Sequence, residues 1–271
     1  MFNRDIEQKV LDNLQKSDLW KKQLKDDCTK QELFLAIRPN NEVSFYHKGG
    51  KLFGFDEKNG FKTHIKYAAV IDDTSDYLIE NELKTKLLIS DFINKYDRIK
   101  ENCNIYSGVE AQGVSEIYHK HSYLSEKDIV VLDIEVMFGQ NDKIDVLLYN
   151  KTSKTLKFVE AKHFSNPEIW SKTIPKVVSQ IRRYKKQIET NESEIIKAYK
   201  KHINIINEIF GKSIPLPEKL ENDIALLIFG FDRDQEKGRL KMLKSALKEQ
   251  NIKVYCAGNA ENANLNALWN K

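Results

Sequence analysis

Three ionisable residues in the middle of the chain, Asp145, Glu160 and Lys162, have the types and spacing that metal-assisted chemistry needs. Two carboxylates held close together repel each other unless a cation or a proton intervenes. Mg²⁺ and Mn²⁺ are hard cations that prefer oxygen ligands, and such an ion lowers the pKa of a water molecule that it binds. A neighbouring lysine can orient that water and offset developing negative charge. Together these groups would suit hydrolysis of a phosphodiester.

The hairpin that carries the three residues predicts that they meet on one face of a sheet. Residues 151–154 form a polar stretch between two predicted strands. If this stretch is a four-residue turn, Asp145 lies directly opposite Glu160, with the Cβ atoms roughly 5 Å apart. Lys162 follows Glu160 by two residues and therefore points to the same face. A solvated, charged hairpin face is the alternative interpretation, but the strands are otherwise apolar and a basic helix is predicted to follow.

Two short motifs in this region resemble a known nuclease superfamily. The motifs are Ile144-Asp145 followed after fourteen residues by Glu160-Ala161-Lys162, and Gln180 with Tyr184 one helical turn later. The first is similar to the signature of the PD-(D/E)xK, or restriction-endonuclease-like, superfamily. The second is similar to the Gln-x-x-x-Tyr motif of its RecB-like branch. The resemblance covers roughly residues 128–257, and Ile144 stands where the family name has proline.

The resemblance implies a role for each matching residue. The metal ligands would be the carboxylates of Asp145 and Glu160 and the carbonyl of Ala161, with Mg²⁺ or Mn²⁺ as the ion. Lys162 would be the catalytic lysine. Gln180 and Tyr184 would contact that lysine, the metal-bound water or the nucleic-acid backbone. Tyr184 could equally be a core aromatic that buries its ring and presents its hydroxyl.

Many family members use a further acid upstream, and four residues could supply it here: Glu110, Glu116, Asp133 and Glu135. The loop after residue 138 decides whether Glu135 faces the site. A three-residue loop over residues 139–141 places Glu135 opposite Asp145, whereas a four-residue loop turns it away. We favour Glu135 as the additional metal ligand.

A basic segment follows the hairpin and is a candidate nucleic-acid contact. Residues 171–186 contain no acidic residue and six basic ones: Lys172, Lys176, Arg182, Arg183, Lys185 and Lys186. Lysine and arginine side chains that neutralise phosphates release counterions, which favours binding to a polyanion. A solvated helix face in a lysine-rich protein is the competing explanation.

The order of predicted elements indicates a mixed α/β (α+β) fold. A helix over residues 5–26 precedes an antiparallel meander with strands at 33–38, 43–47, 52–55 and 61–67, and a second helix covers residues 76–101. Three strands at 129–138, 143–149 and 155–162 are followed by helices at 175–189 and 193–210, a buried strand at 223–231, a helix at 239–249 and a strand at 252–256. We therefore expect residues 1–75 to form an amino-terminal region and residues 76–271 to form a restriction-endonuclease-like core.

Composition excludes several classes of protein. The chain of 271 residues has a net charge of +4, and no apolar stretch reaches the roughly 18 residues that a membrane span needs. Its first residues lack the pattern of a signal peptide, and three widely spaced cysteines (Cys28, Cys103 and Cys256) form neither a zinc ladder nor a disulfide framework. We therefore expect a cytoplasmic protein that does not act at a membrane.

These observations predict a Mg²⁺-dependent nuclease in restriction, antiviral defence, mobile-element biology or repair, with DNA favoured as the substrate and RNA left open. The alternative is a catalytically inactive module that keeps the fold and binds nucleic acid or a partner protein. A homodimer or a defence-complex partner would be compatible with either function.

Overall fold

The computed structural model describes residues 2–68, 77–79, 81, 93–138, 142–171 and 174–271. The chain forms two compact units. An amino-terminal unit contains Asn3–Ser115 and Lys201–Ser213, and a carboxyl-terminal unit contains Glu116–Lys200, Ile214–Lys271 and the first two residues. The helix Tyr96–Ile105 belongs to the amino-terminal unit, and the division of the chain after residue 75 stays a prediction.

The amino-terminal unit is built on an antiparallel sheet in the order β1-β2-β3-β4-β5. Its strands are β1 Phe34–Arg38, β2 Glu42–His47, β3 Gly50–Asp56, β4 Gly60–His64 and β5 Tyr77–Ile79. The four predicted meander strands are confirmed within a few residues. The helix predicted to begin at residue 76 is wrong at Tyr77–Ile79, because these residues pair with Lys62–His64 and satisfy the backbone at the edge of β4.

Short helices accompany this sheet. They are α1 Gln8–Lys16, a π-helical turn Trp20–Leu24, α2 Lys25–Thr29, α3 Ile65–Ala68, α4 Tyr96–Ile105 and α5 Val109–Lys120, which continues into the next unit. The single helix predicted for residues 5–26 is interrupted at Ser17. The Ser17 hydroxyl donates to the Leu14 carbonyl and accepts from the Trp20 amide, so it ends one helix and caps the next. Within the predicted helix over residues 76–101, the described residues show helix at residue 81 and from Tyr96 onwards, and residues 80 and 82–92 lie outside the described residues.

One glycine position in the amino-terminal unit is fixed by close packing. Gly49, in the turn between β2 and β3, has φ +88°, and a Cβ atom there would lie 2.4 Å from the Ala111 carbonyl carbon. A larger residue would therefore meet both an unfavourable backbone conformation and the backbone of α5.

The carboxyl-terminal unit contains a mixed sheet in the order β10-β9-β8-β7-β6. Its strands are β6 Ile129–Phe138, β7 Asp142–Asn150, β8 Thr155–His163, β9 Lys219–Phe229 and β10 Lys253–Ala257. β6, β7 and β8 are antiparallel neighbours, whereas β8, β9 and β10 run parallel. β8 is therefore central, and all of its residues before His163 are buried. The predicted mixed sheet and the final strand–helix–strand crossover are confirmed.

Helices cover this sheet on both faces. They are α6 Lys176–Phe210, α7 Arg233–Gln235, α8 Lys241–Glu249 and α9 Leu265–Trp269, with a π-helical turn Glu236–Leu240 and 3₁₀ turns Pro167–Ile169 and Ala260–Asn262. Lys157 of β8 donates to the Trp269 carbonyl of α9, whereas Phe158 packs on Phe138, which stacks on Tyr184 of α6. Successive strand residues point to opposite faces, so α6 and α9 lie on opposite sides of the sheet.

Helix α6 contains the two helices predicted for residues 175–189 and 193–210. They are merged across a kink at Asn191, whose φ of −118° and ψ of 18° are not helical. The Asn191 side chain donates to the Gln187 carbonyl. Although α6 is long, neither it nor any other helix in the described ranges is apolar enough over 18 residues to cross a membrane.

Candidate active site at the hairpin of the mixed sheet

The hairpin has the register that the turn length predicts. Asn150 pairs with Thr155 and Val146 pairs with Val159, and the ladder between β7 and β8 ends there. One step further along the same register places Asp145 opposite Glu160. Glu160 and Lys162 alternate with Phe158 on the face covered by α6. The structure therefore places Glu160 and Lys162 on one face of β8, with Asp145 close by on β7.

Strands β7 and β8 separate where the ladder ends, and the Asp145 side chain enters the gap. β7 continues to pair with β6 as far as Asp142, and β8 continues to pair with β9 as far as His163. The Ala161 amide donates to Asp145 Oδ2 at 2.8 Å, where a regular ladder would use a backbone carbonyl. This bond satisfies a central-strand amide and ties Asp145 to the residue between Glu160 and Lys162.

Lys162 forms a buried ion pair with Glu160. Its Nζ lies 2.8 Å from Glu160 Oε1, and the side chains are 7% and 1% exposed. Burial of two charges is costly unless each is paired, so this contact is essential to the local structure. Asp145 is only half-buried. The carboxylate of Asp145 is therefore the more accessible of the two.

A third acid, Glu168, also contacts the lysine, and the sequence did not indicate it. Glu168 Oε2 lies 3.1 Å from Lys162 Nζ, and its side chain is 43% exposed. Glu168 belongs to the turn Pro167–Ile169, where its amide donates to the side chain of Asn166. The Asn166-Pro167 pair signals such a capped turn, but only the path of the chain after β8 brings this acid to Lys162.

Gln180 and Tyr184 meet each other, as their one-turn spacing predicts. Gln180 Nε2 donates to Tyr184 Oη at 2.7 Å, and Tyr184 Oη donates to the Lys143 carbonyl at 2.6 Å. Tyr184 is 1% exposed, and its ring stacks on Phe138. The ring is thus part of the core, while the hydroxyl anchors β7 two residues before Asp145.

The electrostatic surroundings of Tyr184 show how near it lies to the carboxylates. Burial first, and then the negative charges of Glu160, Asp142 and Asp145, raise the pKa of Tyr184 to about 12. The phenol is therefore protonated at neutral pH and serves as a hydrogen-bond donor.

Glu135 has the predicted register but a different side-chain contact. Phe138 pairs with Asp142, as a three-residue loop requires, and this register places Glu135 opposite Asp145. Residues 139–141 themselves lie outside the described residues. Glu135 has φ +49° and forms an ion pair of 2.9 Å with Lys143. Its role as a metal ligand therefore remains a prediction.

The other upstream acids have separate contacts. Asp133 is fully buried, and its Oδ2 accepts from the Tyr199 hydroxyl at 2.8 Å. Glu116 Oε2 accepts from the Glu261 amide at 3.1 Å. Asp133 thus connects β6 to α6, which is a structural role.

The residues present fit a magnesium ion better than a metal enclosed by side chains. In the part of the chain that the structure describes, no three His, Cys, Asp or Glu side chains are grouped closely enough to hold a metal. Mg²⁺ commonly takes only one or two carboxylates and completes its octahedral shell with water and substrate phosphates. Asp145 and Glu160 supply two such carboxylates. A zinc site with four protein ligands would not fit.

The predicted basic stripe on α6 is only partly available to a ligand. Arg183 pairs with Asp142 at 3.0 Å, Lys185 pairs with Asp223 at 2.8 Å, and Arg182 donates to Gln250. Lys176 and Lys186 are exposed, and Lys172 lies outside the described residues. These partners come from β7, β9 and the end of α8, which sequence spacing does not bring near α6.

Comparisons with known proteins add little to this geometry. No protein-family model and no curated protein matches the chain. Among solved structures, similarity is found to Pyrococcus furiosus SfsA in complex with Ca²⁺, at 15% identity over 84% of this chain and 83% of that chain, with a TM-score of 0.23. Similarity at that TM-score does not indicate a shared fold, so the site has to be interpreted from its own residues.

Proposed function

We propose that the chain is a metal-dependent nuclease that hydrolyses phosphodiester bonds of nucleic acid, with Mg²⁺ or Mn²⁺ as its metal. The observation that carries this proposal is the arrangement where β7 and β8 separate. The Asp145 carboxylate accepts a hydrogen bond from the Ala161 amide. Glu160 and Lys162 flank Ala161 on β8 and form an ion pair with each other. Two acids and a lysine in this arrangement suit chemistry at a phosphate.

Each residue then has a defined task. Asp145 and Glu160 would hold the metal, which supplies Lewis-acid activation of the phosphate and of the attacking water. Lys162 would donate to a phosphate oxygen or to that water, since its ammonium carries three donors. Glu168 would hold Lys162 from the solvent side. Tyr184 would keep β7 in place through the Lys143 carbonyl, and so position Asp145.

DNA is favoured over RNA as the substrate class. Proteins distinguish RNA from DNA through the 2′-hydroxyl, and the proposed chemistry does not involve that group, so RNA is the alternative substrate. A metal-assisted attack on phosphorus suits either backbone, so the comparison belongs in the first experiment.

A second candidate function is a catalytically inactive module that binds nucleic acid or a partner protein. One observation favours it: Glu160 and Lys162 neutralise each other in a nearly solvent-free position. Such a pair can serve structure alone. The two functions differ in whether a divalent ion binds, which can be measured directly.

The decisive experiment combines cleavage with calorimetry. Supercoiled plasmid, linear duplex and single-stranded RNA are incubated with the protein and Mg²⁺, Mn²⁺, Ca²⁺ or EDTA, and ion binding is titrated in parallel. Asp145→Asn is the matched control, because its amide oxygen can still accept from the Ala161 amide while the negative charge is lost. We expect cleavage with Mg²⁺ and Mn²⁺ in the wild type alone. A wild-type protein that binds no divalent ion at millimolar concentration would exclude the nuclease.

A further inference from the structure

A cleft in the carboxyl-terminal unit gathers positive charge from three separate parts of the chain. It has a volume of about 520 Å³ and lies between helix α8 and the edge strand β10. Five lysines and one acid, Glu236, supply its charged lining, and Ser245, Ile252 and Val254 complete it. The lysines are Lys241, Lys244, Lys248, Lys253 and Lys271. We call this feature the lysine cleft.

Most of these lysines have no carboxylate partner. Lys253 is paired with Asp223 at 2.7 Å. Lys241, Lys244, Lys248 and Lys271 form no ion pair with any residue that the structure describes. This distinguishes the cleft from the stripe on α6, where Arg183 and Lys185 are already neutralised.

Three lysines of the cleft lie in a row on helix α8. Lys241, Lys244 and Lys248 are three and four residues apart, so they lie on the same face of α8. Like charges at this spacing destabilise a helix slightly and gain nothing structurally. Repeated ammonium groups along a line suit a ligand with repeated negative charges, since each phosphate bound releases counterions.

The cleft lies close to the proposed active site in the same sheet. Glu160 is level with Leu226 on β9, and Leu226 is level with Val254 on β10. Neighbouring strands lie about 4.8 Å apart, so the backbone at Val254 is roughly 10 Å from that at Glu160. The cleft therefore lies two strands from Glu160 in the same sheet.

We infer that the lysine cleft binds the phosphate backbone of the nucleic acid on which the proposed nuclease acts. The inference rests on the proposed function for its choice of ligand, but binding in the cleft does not require cleavage. Lysine, unlike the planar arginine fork, recognises phosphate as a point charge. The cleft is therefore expected to bind without sequence preference.

The test measures binding separately from cleavage. Fluorescein-labelled duplex DNA, single-stranded DNA and single-stranded RNA are titrated in EDTA, at several salt concentrations, with wild type and with Lys241→Gln/Lys244→Gln/Lys248→Gln. The control Lys16→Gln/Lys21→Gln/Lys58→Gln removes the same charge from exposed lysines of the amino-terminal unit. A third variant, Arg182→Gln/Arg183→Gln, tests the stripe on α6.

We expect the cleft variant to bind duplex at least about tenfold more weakly, and its salt slope to fall by up to about 2.7, or about 2.1 for single strands. The control should bind as the wild type does, and both should retain the wild-type melting temperature. An unchanged affinity and slope in the cleft variant would overturn the inference, and so would wild-type protein that binds none of the three nucleic acids. Binding of a polyglutamate peptide in place of nucleic acid would assign the cleft to an acidic protein instead.

The outcomes separate this inference from the proposed function. If the cleft variant loses binding and the wild type cleaves none of the substrates, the result supports nucleic-acid binding in the cleft and excludes nuclease activity. If the wild type cleaves nucleic acid and the cleft variant binds it unchanged, the result supports nuclease activity and excludes nucleic-acid binding in the cleft.

Discussion

The buried pair of Glu160 and Lys162 allows a quantitative prediction about stability. Replacing Lys162 by Met keeps an unbranched side chain that is one atom shorter and removes its charge, so a carboxylate that is 1% exposed loses the ammonium 2.8 Å away. At that distance and an effective dielectric constant of about 20, the attraction is about 6 kcal/mol before desolvation is subtracted. Removing one partner of a buried pair costs about 3–5 kcal/mol. We expect Lys162→Met to lower the Tm by about 10 °C.

A matched surface pair controls for the loss of a lysine. Lys154 and Glu218 lie 2.7 Å apart, but their side chains are 43% and 55% exposed. Exposed pairs contribute about 0–1 kcal/mol. Lys154→Met should therefore change the Tm by only a few degrees.

The assay is urea and thermal unfolding of wild type, Lys162→Met, Glu160→Gln and the double variant. Because each single variant leaves the other buried group without its partner, the double variant should be more stable than the sum of the two losses predicts. Mg²⁺ should stabilise Lys162→Met more than wild type, since a cation can then take the place of the ammonium. A Lys162→Met protein as stable as the wild type, or strictly additive losses, would refute the argument from burial.

Three further predictions concern neighbouring contacts. Tyr184→Phe removes the hydroxyl that links Gln180 to the Lys143 carbonyl, and should cost about 1–3 kcal/mol in urea unfolding; an unchanged stability would mean that water replaces the hydroxyl. Glu168→Gln should slow plasmid nicking while leaving the Tm nearly unchanged, because Glu168 is partly exposed but contacts Lys162; wild-type activity in this variant would exclude its positioning role. Hydrogen bonds from Lys185 and Lys253 lower the pKa of Asp223 to about 2. The ionised carboxylate therefore stabilises the fold fully above about pH 4, and this stabilisation is lost as the pH falls through 2. Asp223→Asn should therefore be less stable than wild type at pH 7, by less than about 1 kcal/mol, with the difference vanishing near pH 2; a constant difference would assign the effect to another cause.

The parts of the site that local rules govern could be predicted from the sequence. A four-residue turn and strict alternation predict the register in which Asp145 faces Glu160, and the observed ladder follows that register as far as Val146 and Val159, one step before the two acids. The division of α6 at Asn191 follows from helical periodicity on either side.

The parts that depend on the path of the chain between elements could not be predicted. Glu168 reaches Lys162 through the turn after β8, and Arg183 is neutralised by Asp142, 41 residues away. Residues 77–79 have an apolar spacing that suits a helix, yet they form a strand because β4 offers an open edge. In the last two cases a contact with another segment of the chain outweighs local preference.

The exposure of the two carboxylates determines how a ligand could reach the site. Glu160 is enclosed by the sheet and by Lys162, whereas Asp145 is half-buried at the gap between β7 and β8. A hydrated ion would therefore meet Asp145 first, and it could reach Glu160 only if the Lys162 ammonium moved aside. Glu168 offers that ammonium a second carboxylate at 3.1 Å, on the solvent side. Lys162 could thus move from Glu160 to Glu168 without losing a charge partner, and the same movement would bring its ammonium towards a bound phosphate.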